Sequence, residues 1–252
     1  MGSKIIPKNE KEVEKMRRGG RILARVLDEV AKQVVPGVTI KALNRIAETK
    51  IYEAGAAPAF LGYKGFPSTL CVSVNEEVVH GNGLRVRELT EGDIVGFDLG
   101  LWFEGLCVDV AVTVPVGKVS PLAMKLISVA EEAFHQGVGV IKAGVRVGDI
   151  GAVIEQYVTA QGFGVVRDLV GHGVGRALHE PPEVPNFKAP HAGDILPAGA
   201  TIAIEPMITA GDWRVKTLDD GWTVVTQDRS LSAHYEHTIL VTEDGYEILT
   251  QT

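Results

Sequence analysis

The sequence of 252 residues has few cysteines, no excess of positive charge and no long apolar run, and each of these absences excludes a class of protein. Its two cysteines, Cys71 and Cys107, are far apart in the chain and in no Cys-x-x-Cys motif, so neither a disulfide framework nor a thiolate zinc site is predicted. The 25 basic and 32 acidic residues give a net charge of −7, which argues against nucleic acid or a membrane as partner. Neither a signal-peptide core nor a run of ~18 apolar residues is found, so we expect a cytoplasmic protein.

The sequence does contain the composition of an ordinary globular protein, with 45% hydrophobic and 23% charged residues. Periodic apolar positions predict a first helix from about 10 to 34, with Asn9 and Glu12 placed as a capping box. Three further helices are predicted, one ending at Gly55, one beginning near Pro121 and one over 147–160. Short strands fill most of the remainder, and loops are expected around 181–198 and 211–221.

Two pairs of segments are similar at one common offset along the chain, which indicates an internal duplication. Residues 36–55 match residues 143–162, and residues 89–98 match residues 196–205. Chance similarity of two amphipathic helices could explain the first match, but it explains poorly a second match at the same offset.

The duplication predicts one α+β domain with pseudo-twofold symmetry, built from halves of about 10–118 and 119–250. The second matched pair ends in two acidic residues, Asp98 and Glu205, which the symmetry places at equivalent strand ends. We therefore expect both carboxylates to face one shared cleft.

Asp98 and Asp109 each end an apolar run, and Glu104-Gly105 between them is a plausible hairpin tip. A two-residue turn there would make the two aspartates direct or diagonal neighbours across the hairpin, about 4.5 to 8 Å apart at Cβ. Like charges at that range repel each other or share a proton unless a cation lies between them. Two rim carboxylates in water remain the alternative for this pair taken alone.

Glu205 and Glu236 repeat the pattern of a carboxylate among apolar strand residues. Four such carboxylates would carry a charge of about −4, which two divalent cations would neutralise. The glycine-rich stretch GHGVGRALHE adds His172 and His179, either of which could complete a metal site.

These residues lie in motifs that resemble the type I methionine aminopeptidases, and the resemblance covers nearly the whole chain. The motifs are GFPSTLCVSVNEEVVHGN, EGDIVGFDLG with an aspartate downstream, GHGVGRALHEPPEVPN, IAIEPM and GWTVVTQDRSLSAHYEHT. The resemblance implies the pita-bread fold, an antiparallel sheet covered by helices, and the activity of a metal-dependent exopeptidase that removes N-terminal methionine before a small second residue.

The resemblance also implies a ligand set for two divalent cations, which could be Mn, Fe(II), Co or Zn. Asp98 resembles a ligand of one cation, Asp109 and Glu236 resemble the bridging carboxylates, and His172 and Glu205 resemble ligands of the second cation.

The same comparison implies that a metal-bound hydroxide attacks the scissile carbonyl. Glu205 would carry the proton to the leaving amine, His179 would stabilise the oxyanion, and His80 would orient the substrate backbone.

Six residues are predicted to form the pocket for the methionine side chain. Tyr63, Phe66, Cys71 and Trp222 resemble its walls, although all four could instead be ordinary core residues. Phe60 and Leu178 depart from the pattern, because Cys and Phe respectively are common at these positions in the family. Their volumes could offset each other or reshape the outer wall.

The remaining histidines receive structural interpretations. His135 and His191 are predicted to be solvated. Strand alternation is taken to turn His234 and His237, which flank Glu236, to the opposite side of the strand from it. Cys107 is expected to be a small buried hydrophobe.

Two alternatives stay open: a proline-directed peptidase of the same fold, and a non-catalytic pita-bread binding protein that has lost its metals. The expected partners are peptides and nascent chains, with any ribosome docking through the catalytic domain. A monomer is expected.

Overall fold

Four α-helices and a nine-stranded antiparallel sheet form the frame of the protein in a computed structural model that describes residues 4–251. The helices are α1 (Glu10–Ala31), α2 (Ile40–Glu53), α3 (Pro121–Val138) and α4 (Val147–Ala160). The strands of the first half of the chain are β1 (Ala57–Pro58), β2 (Cys71–Val74), β3 (Glu77–Val79), β4 (Ile94–Phe103) and β5 (Leu106–Pro115). Those of the second half are β6 (Gly164–Val165), β7 (Gly171–Gly173), β8 (Glu180–Val184), β9 (Thr201–Ile204), β10 (Met207–Thr209), β11 (Val215–Thr217), β12 (Val224–Thr226), β13 (Ser232–His234), β14 (Glu236–Val241) and β15 (Tyr246–Ile248).

The large sheet has the strand order β1-β4-β5-β14-β9-β7-β8, with β2 also paired to β4 and β15 to β14. Its centre is the pairing of β5 with β14, which joins the two parts of the chain. Two three-stranded sheets, β13-β10-β6 and β11-β12-β3, complete the strand pairing.

Helix boundaries follow local capping chemistry. Asn9 accepts a hydrogen bond from the Glu12 backbone while the Glu12 carboxylate accepts one from Asn9, so the predicted capping box is confirmed. Ser120 caps α3 by accepting a hydrogen bond from the Ala123 backbone, with Pro121 at the first helical position. The predicted end of α1 near 34 is wrong by three residues, because Lys32 N donates the last helical hydrogen bond and Gln33 N and Val34 N make turn hydrogen bonds instead.

Two predicted loops contain strands. The segment 181–198 begins within β8, which pairs with β7 at the edge of the large sheet. Proline is tolerated at a sheet edge because its missing N–H faces no neighbouring strand there. The segment 211–221 contains β11, which pairs with β12 at the edge of a small sheet. Sequence patterns miss such edge strands, because proline, glycine and polar residues are also typical of loops.

The duplication is visible in the backbone. Helices α2 and α4 have 14 residues each, and their first residues, Ile40 and Val147, are related by the offset of the sequence repeat. Gly37 and Gly144, which precede these helices at the same offset, have φ angles of 93° and 91°. Each donates a backbone hydrogen bond to an equivalent carbonyl, Leu89 O and Leu196 O respectively. The predicted pseudo-twofold α+β fold is therefore confirmed, while the boundary near 118 stays a prediction.

Each helix pair buries its own apolar cluster against the sheet. Residues of α1 and α2 pack with β2, β4 and β5, and residues of α3 and α4 pack with β9 and β14. A third and smaller cluster, which contains Phe60, Phe66 and Leu178, lies outside both. In the described part of the chain, no helix has the length and apolarity needed to cross a membrane.

Candidate metal centre and active-site cavity

Strand register brings the predicted carboxylates together. Asp98 on β4 pairs with Ala111 on β5, and Asp109 pairs with Gly100, so the two aspartates are diagonal neighbours as predicted. The two-residue turn at Glu104-Gly105 has positive φ at both positions, which fits a type I′ hairpin and fixes this register.

The second half of the chain supplies carboxylates to the same row. Glu236 on β14 pairs with Ala111 on its other side, so it lies across β5 from Asp98. Glu205 directly follows Ile204, which pairs with His237, and this register sets Glu205 beside Glu236. His172 on β7 brings its Nε2 atom to 3.6 Å from Glu205 Oε1.

Burial and like charge dominate the electrostatics of this cluster. Burial raises the pKa of Asp109 to about 7, well above that of an ordinary aspartate. Burial and the negative charge of Asp109 raise the pKa of Asp98, Glu205 and Glu236 well above their usual range. Burial also lowers the pKa of His172, which keeps its imidazole neutral. Four crowded carboxylates of raised pKa are an arrangement that added positive charge would stabilise.

The donor set fits divalent cations. Two groups of side chains each bring three ligand atoms within 4.8 Å of one another. One group is Asp98, His234 and Glu236, and the other is Asp109, His172 and Glu236. Asp98 Oδ1 and Glu236 Oε1 are buried and have no hydrogen-bond partner among the described residues. Carboxylates combined with imidazole, and without thiolate, suit first-row divalent metals. Glu236 belongs to both groups, as a shared carboxylate would.

The prediction for His234 is wrong, whereas that for His237 is confirmed. Residues two apart on a strand share a face, so alternation itself places His234 on the Glu236 side. Its Nε2 atom lies 3.7 Å from Glu236 Oε2. His237 faces away and its ring nitrogens contact Thr250 and Tyr235. A correct count of positions from Glu236 would have found His234 from the sequence.

A cavity of about 330 Å³ opens onto the carboxylates. All the predicted site residues line it, namely Phe60, Tyr63, Phe66, Cys71, His80, Asp98, Asp109, His172, Leu178, His179, Glu205, Trp222 and Glu236. Sequence reasoning missed six further lining residues, which are Lys64, Val79, Asp168, Leu169, Val170 and Met207. Four of the six are aliphatic residues that carry no chemical signal in a sequence.

Aromatic rings form the outer part of the cavity. Phe66 meets Trp222 edge to face, with ring centroids 5.3 Å apart. Phe60 packs against Gly100, where a Cβ atom would lie only 2.8 Å from the Phe60 ring. Glycine at position 100 therefore makes room for the ring beside the aspartate hairpin.

The two predicted non-ligand histidines lie at the same cavity. His179 stacks on Tyr63 with centroids 5.3 Å apart, and its Nδ1 atom is 2.9 Å from the Tyr63 hydroxyl oxygen. The His179 and His172 rings lie 4.2 Å apart. His80 has a left-handed backbone, with φ of 59°, immediately after β3. Tyr63 thus holds His179 at the cavity wall.

Apart from His234, the residues given structural interpretations behave as predicted. His135 and His191 are exposed. Cys107 is fully buried in the cluster beneath the cavity, and burial raises the pKa of its thiol.

This fold and site define a metallopeptidase, since Metallopeptidase family M24 matches residues 14–243 and the chain belongs to that family. Membership implies divalent-metal binding and confirms the predicted enzyme class. The chain is 51% identical over 246 residues to methionine aminopeptidase of Clostridium perfringens, with 98% of each chain covered. It superposes on the crystal structure of methionine aminopeptidase from Thermotoga maritima with a TM-score of 0.96 and 46% identity, covering 99% of this chain and 100% of that one. The predicted resemblance is confirmed.

More distant structures share the fold alone. Prolidase from Pyrococcus furiosus superposes with a TM-score of 0.79 at 21% identity, covering 98% of this chain and 66% of that one. The pita-bread architecture is therefore common to enzymes named for different substrates, and residues of the cavity must decide specificity.

Proposed function

We propose that this chain removes the N-terminal methionine from peptides and nascent proteins whose second residue is small. The observation that carries the proposal is a row of four crowded carboxylates and one imidazole at the base of a cavity with aromatic walls. Similarity to methionine aminopeptidases across nearly all of the chain favours this substrate over proline-containing peptides.

The cavity wall suits a methionine side chain. Phe66, Tyr63 and Trp222 present ring faces and edges, and Cys71 adds a buried sulfur atom. A thioether gains favourable contacts at ring edges and, being unbranched, adapts to an irregular pocket. A volume of about 330 Å³ is large enough to hold a methionine side chain.

We propose that two divalent cations bind here, held by Asp98, Asp109, His172, Glu205 and Glu236, with Asp109 and Glu236 shared. Mn, Fe(II), Co and Zn all suit this donor set. When bound, such cations would polarise the scissile carbonyl and would lower the pKa of a water molecule to about 7.

The other roles belong to side chains of this chain. Glu205, which lies beside Glu236 and lines the cavity, accepts a proton from the attacking water and delivers it to the leaving amine. His179 donates a hydrogen bond to the oxygen that becomes negative, because Tyr63 holds its ring at the cavity wall. His80, which also lines the cavity, orients the substrate backbone.

Peptide cleavage against a panel of divalent metals tests the proposal. Peptides beginning Met-Gly, Met-Ala or Met-Ser should release methionine, and those beginning Met-Lys, Met-Phe or Met-Leu should be cleaved about 10- to 100-fold less, since overpacking costs ~1 to 3 kcal/mol. Cleavage of Xaa-Pro peptides without cleavage of Met-Gly peptides would support the proline-directed alternative. Protein that holds no metal by elemental analysis and cleaves nothing would support the non-catalytic alternative.

We further propose that the protein acts as a monomer on nascent chains in the cytoplasm, with ribosome docking through the catalytic domain.

A further inference from the structure

His234 stands outside the ligand set proposed above, yet its side chain is aimed into that set. Its Nε2 atom lies 3.7 Å from Glu236 Oε2 and 3.8 Å from Glu205 Oε2. The residue is 3% exposed, and this nitrogen has no hydrogen-bond partner among residues 4–251. Buried polar atoms are almost always satisfied, so an orphaned imidazole nitrogen needs an explanation.

A buried threonine fixes the backbone of His234. The Thr113 hydroxyl on β5 accepts a hydrogen bond from His234 N and donates one to His234 O, both at 2.9 Å. Thr238 on β14 holds Asp109 in the same way, with both distances again 2.9 Å. We call each threonine with its two hydrogen bonds a clamp. The two clamps are reciprocal, because each half supplies the threonine that holds a residue of the other half.

The pseudo-twofold symmetry relates the strands that carry these clamps. Gly92 and Gly199, which the repeat offset makes equivalent, donate backbone hydrogen bonds to the carbonyls of Val116 and Val241 respectively. Val116 directly follows β5 and Val241 ends β14, so the end of β5 corresponds to the end of β14.

Counting back from these two valines makes the clamps themselves equivalent. Thr113 and Thr238 each lie three positions before their valine, and Asp109 and His234 each lie seven positions before it. His234 therefore occupies in the second half the position that a proposed metal ligand occupies in the first.

We propose that His234 Nε2 is a further metal ligand, binding the cation held by Asp98 and Glu236. The inference rests on the proposed metal-dependent function. The ligand atoms of these three residues already lie within 4.8 Å of one another, and atoms bound to one ion at about 2.0 to 2.2 Å can be up to about 4.4 Å apart. With His172 beside Asp109 and Glu236, each cation then receives one imidazole nitrogen.

A hydrogen bond to a carboxylate is the competing role for this imidazole. Both Nε2-to-oxygen distances, 3.8 Å and 3.7 Å, are too long for a hydrogen bond, so no such bond is present. A role limited to core packing would leave the nitrogen unsatisfied next to the carboxylates of Asp98, Glu205 and Glu236. A shared cation satisfies the nitrogen and the carboxylates together.

Proton NMR of the Co(II)-loaded protein counts coordinated histidines, because each contributes one exchangeable, strongly shifted ring N–H resonance. Wild type should show two such resonances. His234→Gln and His172→Gln should each remove one, while His237→Gln, a control on the other side of Glu236, should keep both. A single resonance in wild type that survives in His234→Gln would overturn the proposal.

Calorimetric titration with Co(II) provides a second readout. His234→Gln should weaken one binding event by at least about 10-fold, since even residues that only orient metal ligands contribute roughly 10- to 100-fold. Equal affinities in the variant and wild type would contradict coordination, provided that circular dichroism shows both folded. If wild type binds Co(II) and releases methionine, a negative result for the variants contradicts only the role of His234. If wild type does neither, the proposed function itself is refuted.

Discussion

The two halves of the molecule share a backbone plan but contribute to the site by different routes. In the first half, β4 and β5 form one hairpin with a two-residue turn, and this hairpin carries both aspartates. In the second half, the equivalent strands β9 and β14 are also paired, but residues 205–235 separate them. That long connection contains Glu205, Trp222 and His234.

The difference shows how a symmetric frame can hold an asymmetric site. Symmetry relates β4 to β9 and therefore brings Asp98 and Glu205 to equivalent places, although only Glu205 follows a strand end as predicted, because β4 continues past Asp98 to Phe103. The connection in the second half adds what the tight hairpin cannot, which is a wall for the cavity and a second imidazole near the carboxylates. The frame supplies positions, and the long connection adds Trp222 to the cavity wall and His234 beside the carboxylates.

The largest expected effect follows from removing the carboxylates proposed to be shared, one in each half. Asp109→Asn and Glu236→Gln should each lower kcat/KM by at least about 10³-fold, or ~4 kcal/mol, and should sharply weaken metal binding. Steady-state kinetics and metal analysis check both. Glu183→Gln, an exposed carboxylate on neighbouring β8, is the matched control. More than a tenth of wild-type turnover in either variant would show that its carboxylate is not shared.

The next effect separates a residue that acts on the substrate from one that binds metal. His179→Ala should lower kcat roughly 10²-fold, the size typical of one oxyanion donor, while metal content stays at the wild-type level. His191→Ala changes an exposed histidine and should leave kcat unchanged. If His179→Ala lost a metal ion, His179 would belong with the ligands of the second half.

A smaller effect is expected where the halves meet in the pocket wall. Phe60 comes from the first half and Leu178 from the second, and both belong to the same buried cluster. Phe60→Cys should lower the preference for Met over Leu peptides by up to about 10-fold, because the wall loses a ring. Adding Leu178→Phe should restore part of that preference, as measured by kcat/KM for matched peptides. Strictly additive effects of the two substitutions would show that their volumes do not compensate.

Much of this arrangement was predictable because it depends on local rules. The capping box at Asn9, the turn at Glu104-Gly105 and the diagonal placement of Asp98 and Asp109 all follow from residue type and spacing. The internal repeat, with one offset for both matched segments, predicted the symmetry before any contact was known.

Other features depend on pairing between distant segments, which no local pattern records. β8 is a strand because β7 lies beside it, although its prolines resemble a loop. Thr113, 121 residues away, holds the backbone of His234, although the side of the strand that His234 faces follows from a local count. Met207 and Val170 line the cavity only through the fold, since aliphatic side chains are equally suited to a core.

The smallest effect tests the symmetry itself through backbone conformation. Gly37 and Gly144 have φ of 93° and 91°, and a Cβ atom at either position would contact nothing within 4 Å. Gly37→Ala and Gly144→Ala should therefore each lower the free energy of unfolding only by the left-handed backbone strain, about 1 to 2 kcal/mol. The two losses should be equal, and they should add in the double variant. Urea unfolding midpoints measure them, with Gly139→Ala as control because that glycine already has a helical φ of −59°. Costs that differ by more than about 1 kcal/mol would show that the two turns are equivalent in geometry but not in energy, since that difference exceeds the ~0.5 kcal/mol within which independent effects normally add.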